Sequence, residues 1–329
     1  MKGRFGITAK WARRAVALCA LALGLPVVHG ACRHEGDSIV VTGDGKRLSS
    51  EVIDNSPLAL LPANPVLLGW VDAQAFFASP LGGELSRLCA SHLPIGKESG
   101  FDPKRDLKKA VVGAYSMAGA DGVVVAQGDF RPEEIKAAAD RHATTPIGVP
   151  VVHSTYAGND MYTAGNFGFT VVTQHTLLLG NETGMRRALD RIRDNRVNVE
   201  VPAWMVRLLD NPQASLVVAG DVTSQPAVAA LAASMPFLNG LQNFRVLGNF
   251  QPPGINFAGT LSYPDPASAT SAANAARGLA QAAGVLNMLR VFGLGSPLQT
   301  LKVEVVQNDM TFVMSIESQS LTRLLAQVM

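Results

Sequence analysis

Two parts of this chain repeat one order of blocks, and that repeat constrains the fold more than any other feature. The block VVGAYSMAGADGVVVAQGDF begins at Val111, and RVLGNFQPPGINFAGTLSY begins at Arg245. Each holds an apolar run, a loop with Gly beside Asp or Asn (Gly119-Ala120-Asp121-Gly122; Gly254-Ile255-Asn256) and a second apolar run. That is the pattern of a β-hairpin. A helix is expected after each hairpin, in RPEEIKAAADRHA from Arg131 and in PASATSAANAARGLAQAAG from Pro266. Pro132 and Pro266 suit a first helical turn, and Asp265 can cap. TLLLGNETGMRRALDRI from Thr176 then matches TFVMSIESQSLTRLLAQV from Thr311, each a strand, a short polar stretch and a helix. These blocks share an offset of 135 residues. An opening block, near Val66 (VLLGWVDAQAFFASPL) and near Ser215 (SLVVAGDVTSQPAVAAL), gives an apolar strand, an aspartate (Asp72, Asp221) and a helix start. Its offset is 149, because the first half carries an extra segment, SHLPIGKESGFDPKRDLKK.

Each half therefore reads strand–helix–strand–strand–helix–strand–strand–helix. Hairpins make neighbouring strands antiparallel, so the expected class is α+β: two related halves, each a largely antiparallel sheet with helices packed on one face. Hydrophobic residues at 47% and charged residues at 16% suit well-buried sheets and argue against disorder. The expected division is a signal over 1–31, a polar tether over 32–57, a first half over 58–194, a connector over 195–212 and a second half over 213–329. The tether is turn-rich (HEGDS, TGDGKRLSSE), with one short strand expected at Ser38–Thr42.

The N-terminus reads as an export signal. Lys2, Arg4, Lys10, Arg13 and Arg14 precede an apolar run from Ala15 to Val28, and Gly30 and Ala31 follow. Basic, apolar, then small is the layout of a secretory signal. The apolar run is shorter than the roughly 20 residues of a spanning helix. The stretch His29-Gly30-Ala31-Cys32 resembles a bacterial lipobox in its last three positions, with His29 where the pattern usually has Leu. The resemblance implies cleavage before Cys32 and a lipid on its sulfur, and hence a membrane as partner, facing the periplasm or the cell surface. The other ending is cleavage after Gly30, which gives a soluble periplasmic or secreted protein. Arg13-Arg14 also fits a twin-arginine signal.

Charge and cysteine content bear on partners. The chain's formal charge of +2 includes the five basic residues of the signal, so residues 32–329 carry −3. No Lys/Arg stripe runs through them, and nucleic acid is not an expected partner. Cys19 leaves with the signal; Cys32 and Cys89 remain. A lipid on Cys32 leaves Cys89 as a small buried thiol. Without the lipid, a Cys32–Cys89 disulfide is open in an oxidising compartment.

The phrase GFDPKRDLKKAVVGA lies between the opening strand–helix and the first hairpin. Through Gly100, Phe101, Asp102, Pro103, Asp106 and Leu107 it resembles a phrase in uncharacterised bacterial envelope proteins and lipoproteins with duplicated α+β domains. The resemblance implies an envelope location and no particular activity.

Residues for chemistry are sparse. His34, His92, His142, His153 and His175 show none of the short spacings of metal sites. No G-x-S-x-G, P-loop or dinucleotide fingerprint occurs. Glu133-Glu134 read as helix-dipole partners in a first turn, Asp102-Pro103 as a helix entry, and His175 as a turn residue. No catalytic residue, metal or cofactor is expected. Two apolar helices, Ala227–Leu241 and Gly278–Leu294, read as core or as walls of a groove for an apolar ligand or partner protein. Phe237, Leu238, Met288, Leu289 and Phe292 would line that groove. The expected function is a non-enzymatic binding or scaffolding role in the envelope. The alternatives are a carrier or sensor of an apolar ligand held in a cleft between the halves, and an exported hydrolase with a dispersed site.

Overall fold

The structure, a computed structural model, describes residues 48–79, 82, 99–117, 121–145, 148–196, 198–285 and 300–318. The strands in chain order are β1 (Leu67–Asp72), β2 (Leu107–Ala114), β3 (Gly122–Gly128), β4 (Val151–Tyr156), β5 (Asn159–Ala164), β6 (Phe167–Val171), β7 (Thr176–Gly180), β8 (Leu216–Asp221), β9 (Asn243–Asn249), β10 (Gly254–Ser262), β11 (Lys302–Val306) and β12 (Asp309–Glu317). The helices are α1 (Ser50–Asn55), α2 (Pro57–Leu60), α3 (Ala73–Ala78), α4 (Pro103–Asp106), α5 (Pro132–Asp140), α6 (Glu182–Arg193), α7 (Ala203–Val206), α8 (Pro226–Ala232) and α9 (Pro266–Val285). The class is α+β, with antiparallel pairing at every described strand register.

The described residues fall into two compact units. A middle unit holds 48–65 and 99–202; a C-terminal unit holds 66–82 and 203–318. This differs from the expected 58–194 and 213–329. Strand β1 and helix α3 belong with the C-terminal unit, because Leu67–Val71 pair antiparallel with Gly220–Leu216 of β8. The connector is divided as well: residues 195–202 close the middle unit, and α7 opens the C-terminal one. Next to the two points where the chain leaves the middle unit, the amide of Asn64 donates to the carbonyl of Glu200 (3.0 Å).

In the middle unit the strands run β2-β3-β7-β6-β5-β4. Neighbouring residues on a strand face opposite sides. Ala126, Tyr162, Phe169 and Leu177 pack with Ile135 and Ala139 of α5 on one side. Val123, Val125, Thr170 and Leu178 point to the other and are buried too, under α6 and α2. Helical cover therefore lies on both faces of this sheet, where one face was expected. The second cover comes partly from the expected tether: α1 is helical from Ser50, and Asp54 accepts from the hydroxyls of Thr173 (2.5 Å) and Thr176 (2.7 Å). The described fold thus includes Ser49, which caps α1 through the amide of Val52, ahead of the start expected at Leu58. Arg191 of α6, 2% exposed, fixes this layer. Its guanidinium donates to Ala59 O (2.6 Å) and Asn198 O (2.5 Å) and meets Glu200 at 3.1 Å.

In the C-terminal unit the order is β11-β12-β10-β9-β8-β1. Helix α9 lies on one face. Its small residues Ala269, Ala272, Ala273 and Ala276 allow close approach to Leu261, Tyr263 and Met310. Asp265 caps it as expected, accepting from the amide of Ser268 (2.8 Å). The expected helix over 227–241 is shorter: α8 ends at Ala232, and a separate 3-10 turn, Pro236–Leu238, follows. Pro236 has no amide hydrogen to continue a helical ladder.

The two strand orders contain one common path, β2-β3-β7-β6 and β9-β10-β12-β11. Two pairs of strand starts keep the sequence offsets: Lys302 follows Phe167 by 135 residues, and Leu216 follows Leu67 by 149. The middle unit adds one hairpin, β4–β5, which the repeat does not contain. Its turn, Ala157-Gly158, has φ of 49° and 74°, the left-handed pair of a tight hairpin turn.

Candidate functional site

Among the described residues, part of one sheet face of the C-terminal unit carries no helix. Along β9, β10, β11 and β12 alternate residues face away from α9, and the registers align them in rungs. One rung is Lys302, Val313, Ala258 and Leu247. Val313 is 48% exposed. Beside it run the polar side chains of Ser315, Asn256 and Asn249, with Thr300 at the end. The Thr300 hydroxyl donates to Ser315 O and accepts from Ser315 N, both at 2.8 Å. The Ser315 hydroxyl donates to Asn256 Oδ1 (2.6 Å), and Asn256 Nδ2 donates to Asn249 Oδ1 and Gln251 O, both at 3.0 Å. On the other side run Glu304, Thr311, Thr260 and Arg245, and Arg245 pairs with Asp309 at 3.2 Å.

With Asn211, Gln213 and Ala214 above it, this face forms an open groove of about 740 Å³. Lys302 is the charged residue of its lining, which has no His, Cys, Asp or Glu. The groove therefore offers amide and hydroxyl donors and acceptors around an apolar strip. The amide ladder fixes the rim, because Asn256 spends three hydrogen bonds on its neighbours. The sequence sign of this site is the period-two pattern of KVEVV and DMTFVMSIE, which places Val313 and Ser315 outward among polar residues.

The titratable cluster of the middle unit lies where α5 meets the β4–β5 hairpin. His153 stacks on Tyr162, with ring centres 4.6 Å apart. Its Nδ1 is 3.2 Å from Asp140 and its Nε2 is 3.1 Å from Asp160. Lys136 also meets Asp160, at 3.2 Å. The hydrogen bond from His153, then the Lys136 ammonium, hold the Asp160 carboxyl below its usual range. Burial first, and the bond to Asp140 second, push the Tyr162 hydroxyl up. The two carboxylates sit on opposite nitrogens of one ring. Among the described residues, no group of His, Cys, Asp and Glu is placed to hold a metal ion.

The residues expected to line an apolar groove are placed as follows. Leu238 is buried in the core beneath α9, and Phe237 packs against that core. The Phe237 carbonyl accepts from the Tyr263 hydroxyl (2.6 Å). Met288, Leu289 and Phe292 lie outside the described residues, as do Cys32, Cys89 and the expected strand Ser38–Thr42. His175 sits at the β6–β7 turn, 3.2 Å from Asp129. Asp102 caps α4 through the Lys104 amide (3.0 Å), and Asp106 pairs with Arg105 at 2.6 Å. Asp121 pairs with Arg187 at 3.2 Å. These aspartates are structural partners and do not converge. No described helix is long and apolar enough to cross a membrane.

No protein-family model and no curated protein matches the sequence. Solved structures do match in fold. Crystal form I of TP0453 aligns with a TM-score of 0.50 at 9% identity, over 83% of this chain and 97% of that one. Crystal form III aligns with a TM-score of 0.53 at 9% identity, over 82% and 97%. At that identity the likeness is one of fold alone.

Proposed function

We propose that this chain is an exported envelope protein, anchored through a lipid on Cys32, whose folded body binds a partner and catalyses no reaction. The observation that carries the binding role is the groove on the open sheet face, with its amide ladder and exposed Val313. The anchor is supported by the basic, apolar and small segments that end at Cys32. The body is read as a duplicated unit, supported by the common strand path and the similar spacing of its strands. A lining that mixes amides and hydroxyls with an apolar strip favours the surface of a partner over a small apolar ligand.

Two experiments test this reading. Cys32→Ser is expected to move the protein from the membrane fraction to the soluble fraction. Retention on membranes by the variant, with a wild type free of lipid, removes the anchor. For the groove, a photo-crosslinking amino acid at Val313 in living cells is expected to give one discrete adduct, and the same probe at Thr270 on the outer side of α9 none. Equal labelling from both positions removes the groove as the binding surface.

A further inference from the structure

We propose that His153 is a proton-dependent clasp that fastens the β4–β5 hairpin to α5. The argument starts from donor count. A carboxylate accepts hydrogen bonds and cannot donate them, and a neutral imidazole has one N–H. Here each ring nitrogen faces a carboxylate, Nδ1 toward Asp140 (3.2 Å) and Nε2 toward Asp160 (3.1 Å). Both contacts are attractive only when the ring carries two N–H groups and a positive charge. In the neutral ring one nitrogen turns a lone pair toward a carboxylate, and that contact becomes repulsive.

The surrounding charges favour the same state. From α5 the ring meets Asp140, and Lys136 and Glu133 lie on the same helix. From β5 it meets Asp160 and the Tyr162 face. Arg141 and His142 follow directly on α5, and Arg141 turns back to bond Ala137 O (3.0 Å). With His153 charged, Asp140, Asp160, Lys136 and His153 sum to zero. With His153 neutral, the group carries an excess negative charge, and Glu133 adds to it.

The location gives the clasp a consequence. Strand β4 ends the strand order of its unit, and its described sheet partner is β5 alone. The β4–β5 pair carries two of its ties to α5 through this one ring and Lys136. Releasing the ring removes this tie and leaves the outermost strand on its ladder to β5, the bond from the Tyr156 hydroxyl to Asp190 (2.8 Å) and that from Val151 N to Ala143 O (2.9 Å). The sign follows from which form makes the contacts. Protonated His153 holds the hairpin, so its contribution is present on the acid side and is lost as the ring gives up its proton at higher pH. At strongly acid pH it is lost again, as Asp160 takes up a proton.

Amide hydrogen exchange on the full mature chain tests the clasp. Protection of residues 151–164 is read relative to β2–β3, with exchange times corrected for pH. Between pH 5.5 and 8 the wild type is expected to lose about two- to fivefold in relative protection, the size of a half-exposed ion pair. His153→Gln is expected to show the low value at both pH values. Asp140→Asn, which leaves the ring in place, is expected to flatten the dependence as well. A wild type whose relative protection does not change with pH overturns the clasp. So does a His153→Gln variant that keeps the full dependence.

Discussion

The middle and C-terminal units share a strand path but solve different surface problems. The middle unit buries both faces of its sheet, with α5 on one side and α6 with α2 on the other. Its polar groups are tied into ion pairs along α5 and α6, from Lys136–Asp160 to Arg193–Asp190. The C-terminal unit has few charges, and Arg245–Asp309 is its ion pair among the described residues. Among the described residues, its helices cover one face, and amides, hydroxyls and an apolar strip occupy the other. In the middle unit α1 and α2, which lie outside the common strand path, add to the second layer that α6 supplies.

The largest expected effect breaks that second layer. Arg191→Leu removes the donors to Ala59 O and Asn198 O and is expected to cost about 3 kcal/mol, read as a lower urea midpoint. Hydrogen exchange should rise across α6 and β3 and stay unchanged in α9 and β10. A uniform rise would mean that the two units unfold as one. Next, Ala273→Leu forces bulk into the close α9 contact, where Ala273 is fully buried. Overpacking there is expected to cost about 1–3 kcal/mol and to loosen the C-terminal unit alone.

Acid gives a third, graded contrast. Asp106, Asp160 and Asp194 of the middle unit all titrate below the ordinary carboxylate range. For Asp106, burial opposes the shift, and the bonds from Arg105 and from the Asp102 amide outweigh it. The hydrogen bond from His153 holds Asp160 low, and that from Arg193 holds Asp194 low. A carboxylate held low in the folded state contributes stability above its unfolded value, near about 4. That contribution disappears as pH falls through the folded value. In the C-terminal unit Asp265 is held low, by the amide and hydroxyl of Ser268. Exchange measured from pH 5 down to 2 should therefore rise in the middle unit first. The smallest effect concerns the open face: Val313→Lys should change stability by no more than about 0.5 kcal/mol while abolishing partner capture. A larger loss in thermal melts would mark Val313 as core.

Much of this arrangement was legible in the sequence, and the losses have physical causes. The hairpins, α5, α9 and the Asp265 cap follow from local turn chemistry and periodicity, which act within a few residues. The assignment of β1 to the C-terminal unit does not, because Leu67 finds Gly220 only through long-range pairing. Strand pair β4–β5 was missed because His153, Thr155 and Asn159 dilute its alternation, although Ala157-Gly158 marks its turn. Helix α1 looked like tether, since its polar sequence gains its place through Asp54 and the buried Ile53. The groove was illegible for another reason. Its rungs form across four strands, and no single segment carries the Thr300–Ser315–Asn256–Asn249 ladder.

Export and anchoring at Cys32 remain the premise for where this surface is displayed. Intact mass of the mature protein from the membrane fraction tests it most directly. The account predicts a chain that begins at Cys32 and carries added diacylglyceryl and acyl mass. A chain that begins at Ala31 without added lipid would contradict it, and would make the open face a surface of a soluble exported protein.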